Sequence, residues 1–278
     1  MNDPEENRAA SAPILEVTGA SKAFGGVRAL REVSFRLASG TITGLIGPNG
    51  AGKTTLFNLI TGVFPADSGR IAFCGEPVHQ ARIHELVERG IARTFQNVEL
   101  FGSMSVLENI LVGEHTQTRC GMWGSILRPP WVRREEAEAR EQAVAFLEFV
   151  GLEGVAHQRC SDLPFGWQRL LELARALAAR PKLLLLDEPA AGLNIVETGQ
   201  LGELIRKIRA SGVTVLLVEH DMSLTMEVSE QVLVLDQGEK IAEGPPREIQ
   251  ADEAVIRAYL GSAPRDAGRQ KEGHASDS

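Results

Sequence analysis

Short apolar runs recur along this chain between segments of helical spacing, and the alternation predicts a layered α/β fold. Thr41 to Ile46, Lys182 to Leu186 and Thr214 to Val218 are runs of strand length. Such runs predict strands buried on both faces. Leu56, Leu59 and Ile60 share one helical face after the first run, as do Leu201, Leu204, Ile205 and Ile208 within Ile195 to Ala210. Buried strands alternating with helices indicate a mainly parallel sheet covered on both faces. Ile14 to Val17 and Val33 to Leu37 predict antiparallel strands around a turn at Phe24-Gly25-Gly26, and Gly69 to Phe73 predicts another strand. Gln231 to Leu235 and Lys240 to Glu243 predict a hairpin around Asp236-Gln237-Gly238-Glu239.

The middle of the chain follows a different pattern. Val106 to Leu111, Arg133 to Val150 and Gly166 to Ala179 all have helical spacing, with no strand pattern between them. A helical subdomain of about residues 97–180, inserted in the sheet domain, is the expectation. Gly113 to Pro130, with Trp123, Pro129 and Pro130, predicts a loop whose tryptophan could meet a partner or cap the subdomain's own core. Met1 to Pro13 and Ala263 to Ser278 are polar, charged or small and predict frayed tails, leaving 14–262 as one folded domain.

Composition narrows the class. Of 278 residues, 43% are hydrophobic and 24% charged, values of an ordinary globular domain large enough to bury a core. No apolar run has the length needed to cross a bilayer. The start, Asn2-Asp3-Pro4-Glu5-Glu6, reads as neither a secretory signal nor an amphipathic anchor. A net charge of −8 argues against a nucleic-acid partner, which needs clustered Lys and Arg. Cys74, Cys120 and Cys160 are widely spaced and form no C-x-x-C, so they read as reduced, structural thiols; His157 near Cys160 does not make a metal site.

The chemistry begins at Gly47-Pro48-Asn49-Gly50-Ala51-Gly52-Lys53-Thr54, which fits G-x-x-x-x-G-K-[ST] between a strand and a helix. Its glycines let backbone N–H groups turn inward around a triphosphate, and the helix N-terminus favours anions. Lys53 would lie on the β- and γ-phosphates of a bound nucleotide, the Thr54 hydroxyl would hold Mg²⁺, and Thr55 is a further candidate binding residue. Leu183 to Leu186 leads into Asp187-Glu188, two carboxylates at a strand's C-terminal end, where ligands bind in open α/β sheets. Asp187 would orient Mg²⁺, and Glu188 could polarise an attacking water, a role that contributes about 10²–10⁴ in rate.

This set of motifs resembles the ATP-binding subunit of an ABC transporter over nearly the whole chain. The resemblance implies a P-loop NTPase (RecA-like) core with an antiparallel β subdomain and an inserted α-helical subdomain. Phe24 matches the aromatic that stacks on adenine. Gln96, in Thr94-Phe95-Gln96, matches the glutamine that joins the two lobes and senses Mg²⁺ and the γ-phosphate. His220 matches the switch histidine at the γ-phosphate. Ala191-Gly192-Leu193-Asn194 matches the loop that crosses a dimer interface. Leu163 to Arg169 occupies the place of the family signature, usually Leu-Ser-Gly-Gly-Gln, but reads Leu163-Pro164-Phe165-Gly166-Trp167-Gln168. The serine hydroxyl is absent there. Proline is tolerated in a first helical turn, so the N–H groups of Phe165, Gly166 and Trp167 are expected to remain free for phosphate. Asn194 stands where the family often has Asp.

Within the family the chain is most similar to the larger ATP-binding subunit of branched-chain amino acid importers. That likeness rests on Phe24-Gly25-Gly26, Thr43 to Thr55, Ile91 to Asn97, Ser105 to Asn109, Asp187 to Asn194 and Val255 to Gly261. It implies a second ATPase subunit, identical or not, across an ATP sandwich, integral-membrane permeases, indirectly a solute-binding protein, and a place on the cytoplasmic face of the bacterial inner membrane. Relatives with similar motifs serve branched-chain amino acids, amides, urea and aromatic acids. Val98, Leu100 and Phe101 could dock the permeases or belong to the core. Three other readings stay beside this one. A lipopolysaccharide-extracting ATPase shares the Tyr-Leu-Gly tail but usually differs around Gln96. A soluble ABC ATPase usually has two ATPase units, a coiled coil or a basic arm, none of which is visible. A regulatory, weakly catalytic subunit is suggested by Pro164 and Trp167 and opposed by Glu188 and His220.

Overall fold

The computed structural model describes residues 12–78, 81–94, 99–114, 130–220 and 222–261. A six-stranded sheet forms its centre, in the order β10-β9-β3-β8-β7-β6. These strands are β3 (Ile42–Ile46), β6 (Ile91–Arg93), β7 (Leu183–Asp187), β8 (Thr214–Val218), β9 (Gln231–Asp236) and β10 (Glu239–Gly244). All pair in parallel except β10, which returns along β9 as the expected hairpin.

The apolar runs of β3, β7 and β8 are buried along their full length because helices or strands cover both sheet faces. Leu184 and Leu186 face one core with Val215 and Leu217; Leu183 and Leu185 face the other with Leu216 and Val218. The first core continues into the helices α3 (Val106–Glu114), α4 (Pro130–Val150), α5 (Phe165–Ala178) and α6 (Ile195–Ala210). The second joins α1 (Lys53–Ile60) and α2 (Ile83–Arg89) to a separate antiparallel sheet. That sheet runs β2-β1-β4-β5, from β1 (Leu15–Phe24), β2 (Val27–Leu37), β4 (Ser68–Phe73) and β5 (Glu76–Pro77).

A third, small core matters for the site. Ile46, the last residue of β3, packs with Val232 and Val234, and with Ile249 and Val255. The latter two lie on α8 (Pro246–Ala251) and α9 (Glu253–Gly261), which follow α7 (Met222–Val228) in the chain.

Several boundaries differ from expectation. β1 and β2 run to the Phe24-Gly25-Gly26 turn instead of ending near Val17 and beginning at Val33. Their outer halves expose Arg28, Arg31 and Glu32 and shift register along the ladder, so no clean alternation marks them. Both ends of the segment expected as a loop are helical: Gly113 lies inside α3 and Pro130 opens α4. At Gly113 a Cβ would lie 2.4 Å from the Arg175 carbonyl oxygen, so this close contact between α3 and α5 requires glycine. Trp123, Cys120, the expected C-terminal tail and all of the expected N-terminal tail but Ala12 and Pro13 lie outside the described residues. Cys74 and Cys160 are free thiols.

Candidate functional site

β3 delivers the chain into the glycine-rich loop, and the packing there excludes side chains. A Cβ on Gly47 would collide with the Leu235 carbonyl, and one on Gly52, at φ 103°, would lie 2.6 Å from the Ala29 carbonyl. Only glycine fits this passage between β9 and β2. Gly52 caps α1 without any side-chain hydrogen bond, and the first turn holds no acid. The helix therefore presents backbone N–H groups and its positive end to the cleft. Lys53 is buried and donates from Nζ to the carbonyls of Gly47 at 2.6 Å and Pro48 at 3.1 Å. Burial pushes its pKa down, while nearby Glu188 and Asp187 push it up. The C-terminal helix reaches the same loop. The Tyr259 hydroxyl hydrogen-bonds the Gly47 backbone, and burial raises its pKa.

Asn49, Gly50, Ala51, Gly52, Lys53, Thr54 and Thr55 line a cleft of about 500 Å³ together with Glu188 and His220. Its other wall comes from Val27, Arg28, Ala29 and Arg31 of β2, and from Gln237 in the β9–β10 turn. That wall was hidden in the sequence, since nothing in the β2 pattern distinguishes residues facing a cleft from residues facing water.

The two carboxylates at the end of β7 have different surroundings. Asp187 is 4% exposed and pairs with Arg93, Nη2 to Oδ2 at 2.6 Å. The same guanidinium donates to Asn58 Oδ1 at 2.6 Å and lies 5.6 Å from the Phe57 ring. Arg93 thus links β6, α1 and β7 beneath the loop. Glu188 follows at φ 50°, a left-handed conformation that costs a side-chain-bearing residue energy and is often found at functional sites. Its N–H donates to the Val218 carbonyl at 2.8 Å. Its Oε1 lies 2.7 Å from His220 Nε2. Two residues separated by a helix and a strand, α6 and β8, are therefore brought into direct contact.

Glu219, between them, was missed. It is 4% exposed, and its carboxylate accepts N–H bonds from Ala190 at 2.7 Å and His220 at 3.2 Å. The signal was available: Glu219 directly follows β8 as Glu188 directly follows β7, and the two strands pair in parallel with Asp187 beside Val218. Arg93 carried a similar signal, a charged residue closing the apolar pair Ile91-Ala92.

The Thr54 hydroxyl, exposed on the first turn of α1, and the Asp187 carboxylate are hard oxygen donors. Mg²⁺ takes such donors beside substrate phosphates and water, so these residues fit it. Gln96, the third expected donor, lies outside the described residues, as does Val98.

The remaining expected site residues stand apart from the cleft lining. Phe24 is 48% exposed and packs edge-on against Phe64 at 5.2 Å. Pro164 caps α5, as a proline can. The expectation of three free N–H groups needs correction, because the Trp167 N–H donates to the Pro164 carbonyl at 3.0 Å. Gln168 N–H bonds the same carbonyl, and its side chain bonds the Leu163 carbonyl. Phe165 and Gly166 keep free N–H groups, since the i→i−4 pattern cannot reach them. Gly166 packs closely on the side chain of Glu197 at the start of α6, where an added Cβ would lie 2.7 Å from Oε1. Asn194 caps α6, accepting from Val196 and Glu197 N–H at 2.9 and 3.0 Å. Asn caps as well as Asp, which accounts for the departure there. Leu100 packs partly into the first core, whereas Phe101 is 46% exposed.

Comparison with known proteins places these features in context. Residues 30–191 match the family model for ABC transporters, and residues 239–264 match that of a branched-chain amino acid ATP-binding cassette transporter. The chain is 44% identical to the high-affinity branched-chain amino acid transport ATP-binding protein BraF of Pseudomonas aeruginosa, over 91% of this chain and 100% of that one. It is 43% identical to LivG of Escherichia coli over the same shares. A nucleotide-free ATP-binding cassette from an ABC transporter superposes with a TM-score of 0.79 at 33% identity, covering 90% of this chain and 100% of that one. The ADP conformation of an ABC transporter cassette gives 0.79 and 33%, over 91% and 100%.

Proposed function

This chain belongs to the ABC transporter ATP-binding family, whose members hydrolyse ATP, and we propose that it energises an importer of branched-chain amino acids or related small polar solutes. The observation that carries this reading is the match of residues 239–264 to the branched-chain cassette model, beside 43–44% identity along nearly the full chain. A contact within the fold supports it: that C-terminal segment reaches the nucleotide loop through Tyr259.

In this reading the N–H groups of Asn49 to Thr55 cradle the ATP phosphates, Gly47 and Pro48 complete the loop, and Lys53 exchanges its two carbonyl partners for phosphate oxygens. Thr54, Asp187 and Gln96 would hold Mg²⁺, which supplies charge neutralisation at the β- and γ-phosphates when bound. Glu188 takes a proton from water as its oxygen bonds the γ-phosphorus and the bond to the β-phosphate oxygen breaks. His220, in contact with Glu188, holds the γ-phosphate side. Phe24 offers a face to adenine. The free N–H groups of Phe165 and Gly166, with Trp167 and Gln168 beside them, face the γ-phosphate held by a second ATPase subunit. The exposed Phe101 ring supports docking of membrane permeases, which themselves receive solute from a binding protein. No described helix is long and apolar enough to cross a membrane, so attachment at the cytoplasmic face of the bacterial plasma membrane would pass through those partners.

The test is solute uptake. Vesicles holding the native complex are expected to accumulate labelled leucine, isoleucine or valine only with ATP on the side of this subunit. ATP-driven uptake of another solute class, with none of these, would move the substrate assignment; ATP-driven export would overturn the importer.

A further inference from the structure

The two reactive side chains, Glu188 and His220, meet at 2.7 Å although they stand on different loops. Two loops at the edge of a cleft are free to drift unless something fixes their separation. One tie is the bond from Glu188 N–H to the Val218 carbonyl. The other is Glu219. Its Oε1 accepts from Ala190 N–H, two residues beyond Glu188, and its Oε2 accepts from His220 N–H. Ala190 sits in the turn that Glu188 itself closes, Ala191 N–H to the Glu188 carbonyl at 3.1 Å. An ionised carboxyl accepts at both oxygens, so two backbone donors satisfy it in a place where only 4% of the residue is exposed.

The geometry points to Glu219 as a positioning residue that holds Glu188 and His220 as one rigid unit. This inference rests on the hydrolytic roles given to those two side chains. Glu219 touches no substrate; it acts by fixing where the general base stands. It also makes the turn leading to Gly192 and Asn194 continuous with the histidine loop, so displacement of that turn is carried to His220.

Glu219→Gln isolates this role. The amide keeps the volume but has a single carbonyl acceptor and an NH₂ that only donates, so one of the two N–H groups, Ala190 or His220, loses its acceptor and faces another donor. The assay is steady-state ATPase of the full chain in its purified native complex, with Glu188→Gln and the double variant in parallel. Glu219→Gln is expected to lower kcat by about tenfold or more with KM for ATP within about twofold, because small misplacements of a base cost rate and not ground-state binding. In the Glu188→Gln background the same change is expected to cost almost nothing further. An unchanged kcat, a matching rise in KM, or full additivity with Glu188→Gln would each overturn the positioning role. If Glu188→Gln itself left kcat intact, the hydrolytic reading would fall, and this inference with it; the two failures are thus told apart.

Discussion

Glu188 and His220 are fixed by strand ends and by bonds within one chain, whereas Phe165 and Trp167, at the start of α5, are 46% and 42% exposed. The carboxylate side of the cleft is internally complete: Asp187 has Arg93, Glu188 has His220, and Glu219 joins both loops. The α5 start has the opposite character. It packs on one side, Gly166 against Glu197 and the Phe165 ring against Gly192, yet Phe165 and Trp167 remain about half exposed. Under the proposed function, this contrast separates residues that act in their own cleft from residues that would serve the nucleotide of a second ATPase subunit.

Substitutions sharpen that contrast unequally. Glu188→Gln should have the largest effect, lowering kcat in the assembled complex by about 10²–10⁴ while ATP still binds, as radiolabelled nucleotide retention would report. Arg93→Ala comes next, in stability: the buried Asp187 loses its partner, at a cost of about 3–5 kcal/mol in urea unfolding of the isolated subunit. A loss below about 1 kcal/mol there would mean that water reaches Asp187 freely. Pro164→Ser addresses the other region. A serine hydroxyl on the phosphate of the facing subunit adds a bond of about 1.5–3 kcal/mol, so ATPase of the assembled complex should rise by about tenfold. The isolated subunit should not respond, and a rise there would place α5 in its own cleft. Asn194→Ala gives the smallest change, about 1 kcal/mol of stability from the lost cap on α6, read by thermal unfolding.

Legibility in the sequence followed the same division. The central strands and α6 were readable because full burial leaves unbroken apolar runs and one clean helical stripe: Ile195 to Ala210 and Thr214 to Val218 stand where the periodicity placed them. The loop Gly47 to Thr54 and the pair Asp187-Glu188 were readable because their chemistry is local to the chain. What escaped depends on contacts between distant segments. Arg93 and Glu219 gain their meaning from partners on other elements, and the β2 wall of the cleft from its fold against α1. β6 has too few residues to show a period. At α5 the sequence counted three free N–H groups, but Pro164 turns its carbonyl toward the helix and takes one of them. Gln96 lies outside the described residues, and its expected role stands as a proposal.

The most direct measurement is purification of this subunit in mild detergent from its native membranes, with every co-purifying protein identified by mass spectrometry. The expected result is a particle holding two polytopic permeases and a second ATPase, whose nucleotide cleft gives the exposed start of α5 its missing surface. A particle with export-type membrane proteins, or a chain that purifies with no membrane partner, would contradict the importer and leave the ATP chemistry of Lys53, Asp187, Glu188 and His220 to serve another machine.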